Sequence, residues 1–203
     1  QTVTFARIDP QTFHAFLQSV VEVQGGGVRS VKLALPEAVG TGIRFECPAP
    51  RIIEQKSEPG QNGERIWTLQ FDLRLRGQAL ILCDIELPRG EANEFSVPQI
   101  RFIDAERQNG YLAAEAAGDQ RLTISAKGAD GADLVDVDPL DLPNVFYRPK
   151  ERVVGVYRTT MPGAVMTLGD QKYEKLSVAA AICPAFEVST ILGRTGELQH
   201  RAS

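Results

Sequence analysis

Apolar and polar residues alternate along most of this chain with a period of two. In Trp67-Thr68-Leu69-Gln70-Phe71-Asp72-Leu73-Arg74-Leu75 every odd position is apolar and every even position polar. That is the pattern of a β-strand with one dry and one wet face. Beyond Gly77 the alternation resumes at Ala79, Ile81, Cys83, Ile85 and Leu87, with Asp84 and Glu86 opposite. With Gly77 as the turn, the two runs read as an antiparallel hairpin. Its buried face is expected to carry Trp67, Leu69, Phe71, Leu73, Ile81, Cys83 and Ile85. The same grammar predicts strands at 2–5, 31–35, 43–47, 122–124, 153–157, 176–182 and 186–192.

Glycine and proline separate these runs, at Gly25-Gly26-Gly27, Pro59-Gly60, Asn62-Gly63, Pro88-Arg89-Gly90, Asn109-Gly110 and Pro162-Gly163. Short strands spaced by such breakers indicate an all-β fold, an antiparallel β-sandwich. Two arrangements fit: one large two-sheet super-sandwich, or two small sandwiches. The chain reads as a single module over 1–203, with a subdivision into 1–107 and 108–203 as the alternative. Residues 13–23 fit either period. Phe13, Phe16, Leu17, Val20 and Val21 form a helical stripe behind Asp9-Pro10, but the Val-Val-Glu-Val ending at Val23 favours a strand. Residues 111–117 are alanine-rich, which favours helix. Only seven residues lie between Gly110 and Gly118, however, so a strand is expected there too.

Residues 186–192 with the turn Gly193-Arg194-Thr195-Gly196 start a hairpin whose second arm runs from Glu197 to Ser203. This arrangement leads us to expect a piece of a larger polypeptide, with strands near its ends lacking partners. The first residue is Gln1, and no signal-peptide pattern follows it, so a targeting segment would lie outside these residues.

Composition changes this picture little. Hydrophobic residues make up 43% and charged residues 24%, ordinary globular values. The net charge of −4, with both signs interspersed, offers no basic footprint for nucleic acid. The longest apolar run, 178–183, is too short to span a bilayer. Cys47, Cys83 and Cys183 are odd in number and widely spaced, which is neither a disulfide framework nor a metal motif. Cys47 and Cys83 fall on the apolar faces of their strands, as two buried thiols or as a pair.

The densest acidic cluster is Asp130, Asp133, Asp136, Asp138 and Asp141. Calcium takes several oxygen ligands, which makes Asp133, Asp136 and Asp138 its candidates. The spacing is not that of an EF-hand loop, and Asp side chains also simply make turns. His14 and His200 sit in no nucleophile motif. The chain has no Gly-x-Ser-x-Gly elbow, no His-Glu-x-x-His, no phosphate loop and no dinucleotide fingerprint. No catalytic residue and no cofactor is therefore expected. The carboxylate pairs Glu46 with Glu54 and Asp84 with Glu86 have the geometry of ordinary exposed strands. Trp67 belongs with the core. Phe146-Tyr147-Arg148, flanked by loop residues, is the expected exposed aromatic patch, suited to a sugar or a neighbouring domain.

One order of motifs runs through 13–200. An alternating strand closes in Leu-Pro and is followed by Trp67-x-Leu-x-Phe-x-Leu. Val97-Pro98, Asn109-Gly110-Tyr111-Leu112-Ala113, Leu134-Val135-Asp136 and Asp141-Leu142-Pro143 come next. This order resembles large, uncharacterised bacterial envelope-associated proteins built of chained β-sandwich domains. The resemblance implies an extracytoplasmic setting, in the periplasm, cell envelope or medium. It brings no activity and no catalytic residue. The function expected is a non-enzymatic structural or interaction module, for adhesion or scaffolding. Its partners would be neighbouring domains of the same chain or other envelope proteins, with no nucleic acid and no membrane insertion within this segment. A carbohydrate-binding module is the alternative.

Overall fold

Two 25-residue strands, β2 (Thr12–Pro36) and β5 (Glu64–Pro88), organise the structure. They are antiparallel neighbours from Thr12↔Pro88 to Pro36↔Glu64. The computed structural model describes residues 1–118, 120–160, 162–171, 188–192 and 198–202. Strand accounts for 62% and helix for 4%, which makes the protein all-β. Residues 13–23 are strand, as their Val-rich ending favours.

The expected hairpin at Gly77 is not formed. Its two arms are halves of one strand, β5, and both pair with β2. Gly77, at φ +66°, serves a bulge instead of a turn. The register shows how. From Val23↔Gly77 to Val28↔Leu75, β2 advances five residues and β5 two; from there to Ser30↔Gln70, β2 advances two and β5 five. Each strand thus loops out once, at Gly25–Gly27 and just after Phe71. Asp72 Oδ1 holds the second loop by accepting from the Leu73 and Arg51 amides. Leu73 lies inside it and is 68% exposed, so it leaves the buried face it was expected to share with Trp67, Leu69 and Phe71.

These bulges fold the β2–β5 ribbon back on itself. Phe45, on β3 (Arg44–Glu46), lies opposite Cys83 in the ladder. Trp67 is sixteen residues earlier on β5, about 50 Å away along a straight strand. Yet the Phe45 and Trp67 rings meet edge to face, with centroids 5.4 Å apart. The two halves of the ribbon therefore face each other across the core, and one strand pair supplies both layers of the sandwich.

The first layer adds β1 (Thr2–Ile8), β8 (Gly110–Ala116), β11 (Arg152–Thr159) and β10 (Val135–Asp136), in the order β10-β11-β8-β1-β2-β5-β3. In the second half of the ribbon, β4 (Ile52–Pro59) pairs with β5, and β7 (Arg101–Phe102) pairs with β2. A separate sheet of β6 (Glu94–Ser96), β12 (Val165–Gln171) and β9 (Arg121–Lys127), in the order β6-β12-β9, also covers the core. Phe95 of β6 stacks on Phe13 of β2 at 5.1 Å. The core between the layers includes Leu17, Leu33, Leu69, Phe71, Ile81, Ile85, Leu112 and Met166.

β1 contradicts the expectation that strands near an end lack partners. It pairs with β2 on one side and, in parallel, with β8 on the other, and all seven of its residues are buried. The β1–β8 pairing also joins residues on both sides of position 107 in one sheet, so no boundary falls there. Two compact units divide instead at Lys172/Tyr173. In the second, β13 (Val188–Leu192) pairs antiparallel with β14 (Leu198–Ala202). The strand expected at 176–182, the turn at 193–196, Tyr173 and Cys183 lie outside the described residues.

Gly110 permits the parallel pairing. A Cβ at this position would run into the Thr2 carbonyl oxygen of β1. Gly110→Ala is expected to destabilise the protein by about 1–3 kcal/mol, the cost of overpacking a rigid contact. Chemical denaturation of the two forms measures it, and an unchanged midpoint would contradict this pairing.

Candidate functional site

Three features lie on this scaffold: a pinned strap on its outer face, a closed end and an open end.

The strap follows from the alternation of β1. Ala6 and Ile8 face the inter-layer core, whereas Val3, Phe5 and Arg7 face outward. Gln18, Phe16 and His14 of β2 sit opposite Val3, Phe5 and Arg7, and β8 places Tyr111, Ala113 and Glu115 on the other side. This outer face is not left to water. Residues 137–151 cross it, and Val137, Leu142, Val145 and Tyr147 pack onto Val3, Phe5, Ala113 and Val156.

Polar groups fix the strap in place. Tyr147 stacks on Phe16 at 4.7 Å and tilts against Phe5 at 4.9 Å. Arg7 Nη1 donates to its hydroxyl at 3.3 Å. Burial, and then the Glu115 carboxylate, push the Tyr147 phenol up to about 12. The Phe146 amide donates to Gln18 Oε1 at 2.5 Å. The Lys150 and Glu151 amides donate to Glu115 Oε2 at 2.9 and 3.1 Å. Glu115 is buried, and Arg7 Nη1 lies 3.9 Å from the same oxygen; among the described residues its Oε1 has no partner. Arg7 also forks onto Asp9 at 2.7 and 2.9 Å, and this hydrogen bonding raises its pKa against the desolvation that would lower it.

The structure divides the expected aromatic patch. Phe146 is 67% exposed. Tyr147 turns inward beneath the strap, while Arg148 remains exposed. Phe146, Asn144, Gln18, Val20, Gln78 and Leu80 border a shallow groove.

Within the acidic cluster, the carboxylates of Asp130, Asp133 and Asp138 make local contacts. Asp133 Oδ1 lies 2.5 Å from Lys127 Nζ, and Asp136 pairs with Tyr157 in the β10–β11 ladder. Asp138 caps the 3-10 helix Pro139–Asp141 by accepting from the Leu140 amide, and Asp130 accepts from the Ala132 amide. Among the described residues, no group of three or more His, Cys, Asp or Glu is placed to hold a metal ion. Asp84 lies 2.5 Å from His14 Nε2, and Glu54 lies 2.9 Å from Lys56. Glu46 and Glu86 are exposed.

Cys47 and Cys83 are both buried and both free thiols. The register places Phe45, not Cys47, opposite Cys83. Burial, then Asp84, push the Cys83 thiol from its ordinary 9.0 up to about 12. The folded state therefore holds this proton where the unfolded state releases it, and stability falls as pH rises from about 9 towards 12. Tyr147 acts with the same sign above its ordinary 10.0. Denaturation midpoints against pH are expected to decline less steeply over this window in Cys83→Ala than in the parent. Equal slopes would contradict the assignment.

At one end of the sandwich, Arg89 and Asp170 form a buried ion pair at 2.6 Å. Gln120 Nε2 donates to Asp170 Oδ1 and to the Ile8 carbonyl, and Arg89 Nη1 donates to the Asp9 carbonyl. This clasp ties the β1–β2 turn and the end of β5 to β12. At the opposite end of β1 the layers part around a cavity of about 400 Å³. Its lining includes the buried apolar residues Val97, Ile100, Leu112 and Ala164, together with residues that carry hydroxyl and carboxamide groups. Glu64 is the cavity's carboxylate, and both its oxygens accept from Arg101.

No protein-family model matches this chain, and no curated protein matches it by sequence. No described helix is long and apolar enough to cross a membrane.

Sequence periodicity missed Arg7, Glu115 and Gln18. The available signal was a charge in step with apolar neighbours: Arg7 follows Val3 and Phe5 on the same face, and Glu115 follows Tyr111 and Ala113. A charge in such a series marks a buried pair when something covers that face.

Proposed function

We propose that residues 1–172 form a non-enzymatic interaction module of a multidomain, extracytoplasmic bacterial protein. The module seats a neighbouring domain, or another envelope protein, on the strap around Phe146. The supporting observation is the contrast between Phe146 and its surroundings. The ring is 67% exposed, while its own amide is bonded to Gln18, Val145 and Tyr147 on either side pack onto the sheet, and the Lys150 and Glu151 amides are bonded to Glu115. An exposed aromatic side chain on a rigid support loses little freedom on binding, which is how an anchor residue contributes most to affinity. The charged residues around it join strands together instead of converging on a reacting centre. The bacterial envelope setting rests on the motif order from residue 13 to residue 200.

A photo-cross-linking amino acid at position 146 tests this reading in cells producing the protein. Leu73 is equally exposed on the ribbon and serves as the control position. Discrete protein adducts are expected at position 146 and not at 73. Equal labelling at both positions, or none at 146, would contradict it.

A further inference from the structure

We infer that the open end of the sandwich is a binding site for a neutral, hydroxyl-rich ligand the size of a single saccharide ring. This site is separate from the strap and does not depend on its role.

The two ends of the fold are unlike. The Arg89–Asp170 clasp closes one end, where the layers are tied by buried charge. The other end holds about 400 Å³ of space, within the range of small-molecule sites. A sandwich needing only mechanical strength would fill this space with apolar side chains. Instead the inward-facing positions of β1 change character along the strand, from Ile8 and Ala6 in the core to Thr4 and Thr2 at the cavity.

The lining specifies the ligand's chemistry. Among the described lining residues the only ionic groups, Glu64 and Arg101, are joined in a two-point ion pair, so these residues offer no net charge to an anion or cation. Several polar side chains are already committed to the scaffold. Thr2 meets Ser19, Gln108 bonds the Ile100 carbonyl and Phe102 amide, and Gln99 bonds the Ala164 carbonyl. These bonds make the walls rigid. Others are uncommitted: the side chains of Thr4, Asn62, Ser96 and Asn109 have no hydrogen-bond partner among the described residues. A pyranose combines C–H faces with a rim of hydroxyls. Val97, Ile100 and Leu112 suit the first, and the uncommitted hydroxyls and carboxamides suit the second.

The test uses the protein labelled with nitrogen-15 and titrated with glucose, galactose, mannose and N-acetylglucosamine, each followed by amide chemical shifts. At least one sugar is expected to shift the amides of Thr4, Val97 and Gly110 in a saturable way. Asn109→Ala is expected to weaken that binding about tenfold, the loss of one hydrogen bond to a buried ligand. Ser96→Phe, which fills the cavity mouth from an exposed position, should abolish it; a spectrum otherwise like the parent's confirms that this variant is folded. Shifts centred on Gln18, Gln78 and Phe146 would place sugar binding in the strap groove and overturn the inference. Tighter binding of glucuronate or glucosamine would overturn the requirement for neutrality. No saturable shift with any of the four sugars would overturn the site altogether.

Discussion

Phe71→Ala is expected to lower the stability of the fold by about 3–5 kcal/mol, the range for emptying a core aromatic site. Phe71 is 2% exposed and belongs to the layer interface formed when the ribbon bends. Two residues further on, Leu73→Ala is expected to change stability by no more than about 0.5 kcal/mol, because Leu73 lies in the outward loop. Straight alternation would make both substitutions costly. Urea denaturation of the two variants separates the alternatives. A Phe71 effect below about 1 kcal/mol, or a Leu73 effect of similar size to it, would contradict the bulge.

Asp170→Ala is expected to cost about 3–5 kcal/mol for a different reason. The substitution leaves the Arg89 guanidinium, 6% exposed, without its counter-ion in a site that water barely reaches. The attraction itself contributes less than this figure, since much of the loss is the unpaid desolvation of Arg89. The double replacement Arg89→Met with Asp170→Leu should therefore recover most of the loss. If the double variant is no more stable than Asp170→Ala, the buried charge is not what the single substitution exposes.

The strand content and most strand positions were legible from alternation, because one dry and one wet face leave a period of two in any strand. Trp67, Leu69, Ile81, Cys83 and Ile85 all face the core as that period requires. The connection at Gly77 was misread because a positive φ serves a tight turn and a bulge equally well, and the deciding partner, β2, lies some fifty residues away in sequence. Leu73 was misplaced for the same reason: its parity is right, but three extra residues in the register turn it outward. The site was less legible than the fold. Phe146 was recognisable as an exposed aromatic residue in a loop. Tyr147 was not recognisable as its anchor, since Phe5 and Phe16, which it packs on, are more than a hundred residues distant. The open-end cavity arises where six separated segments meet, and no local pattern announces such a place.

The strap is a fixed support and not a loose loop. Native-state hydrogen exchange at three of its amides tests this directly. The Phe146 amide is bonded to Gln18, and those of Lys150 and Glu151 to Glu115. All three are expected to exchange far more slowly than an unstructured peptide of the same sequence, and together, as one cooperative unit. Glu115→Gln should speed all three while leaving the β2–β5 ladder protected. Exchange of these amides at unstructured rates in the parent protein would contradict the account, because Phe146 would then have no rigid base from which to bind.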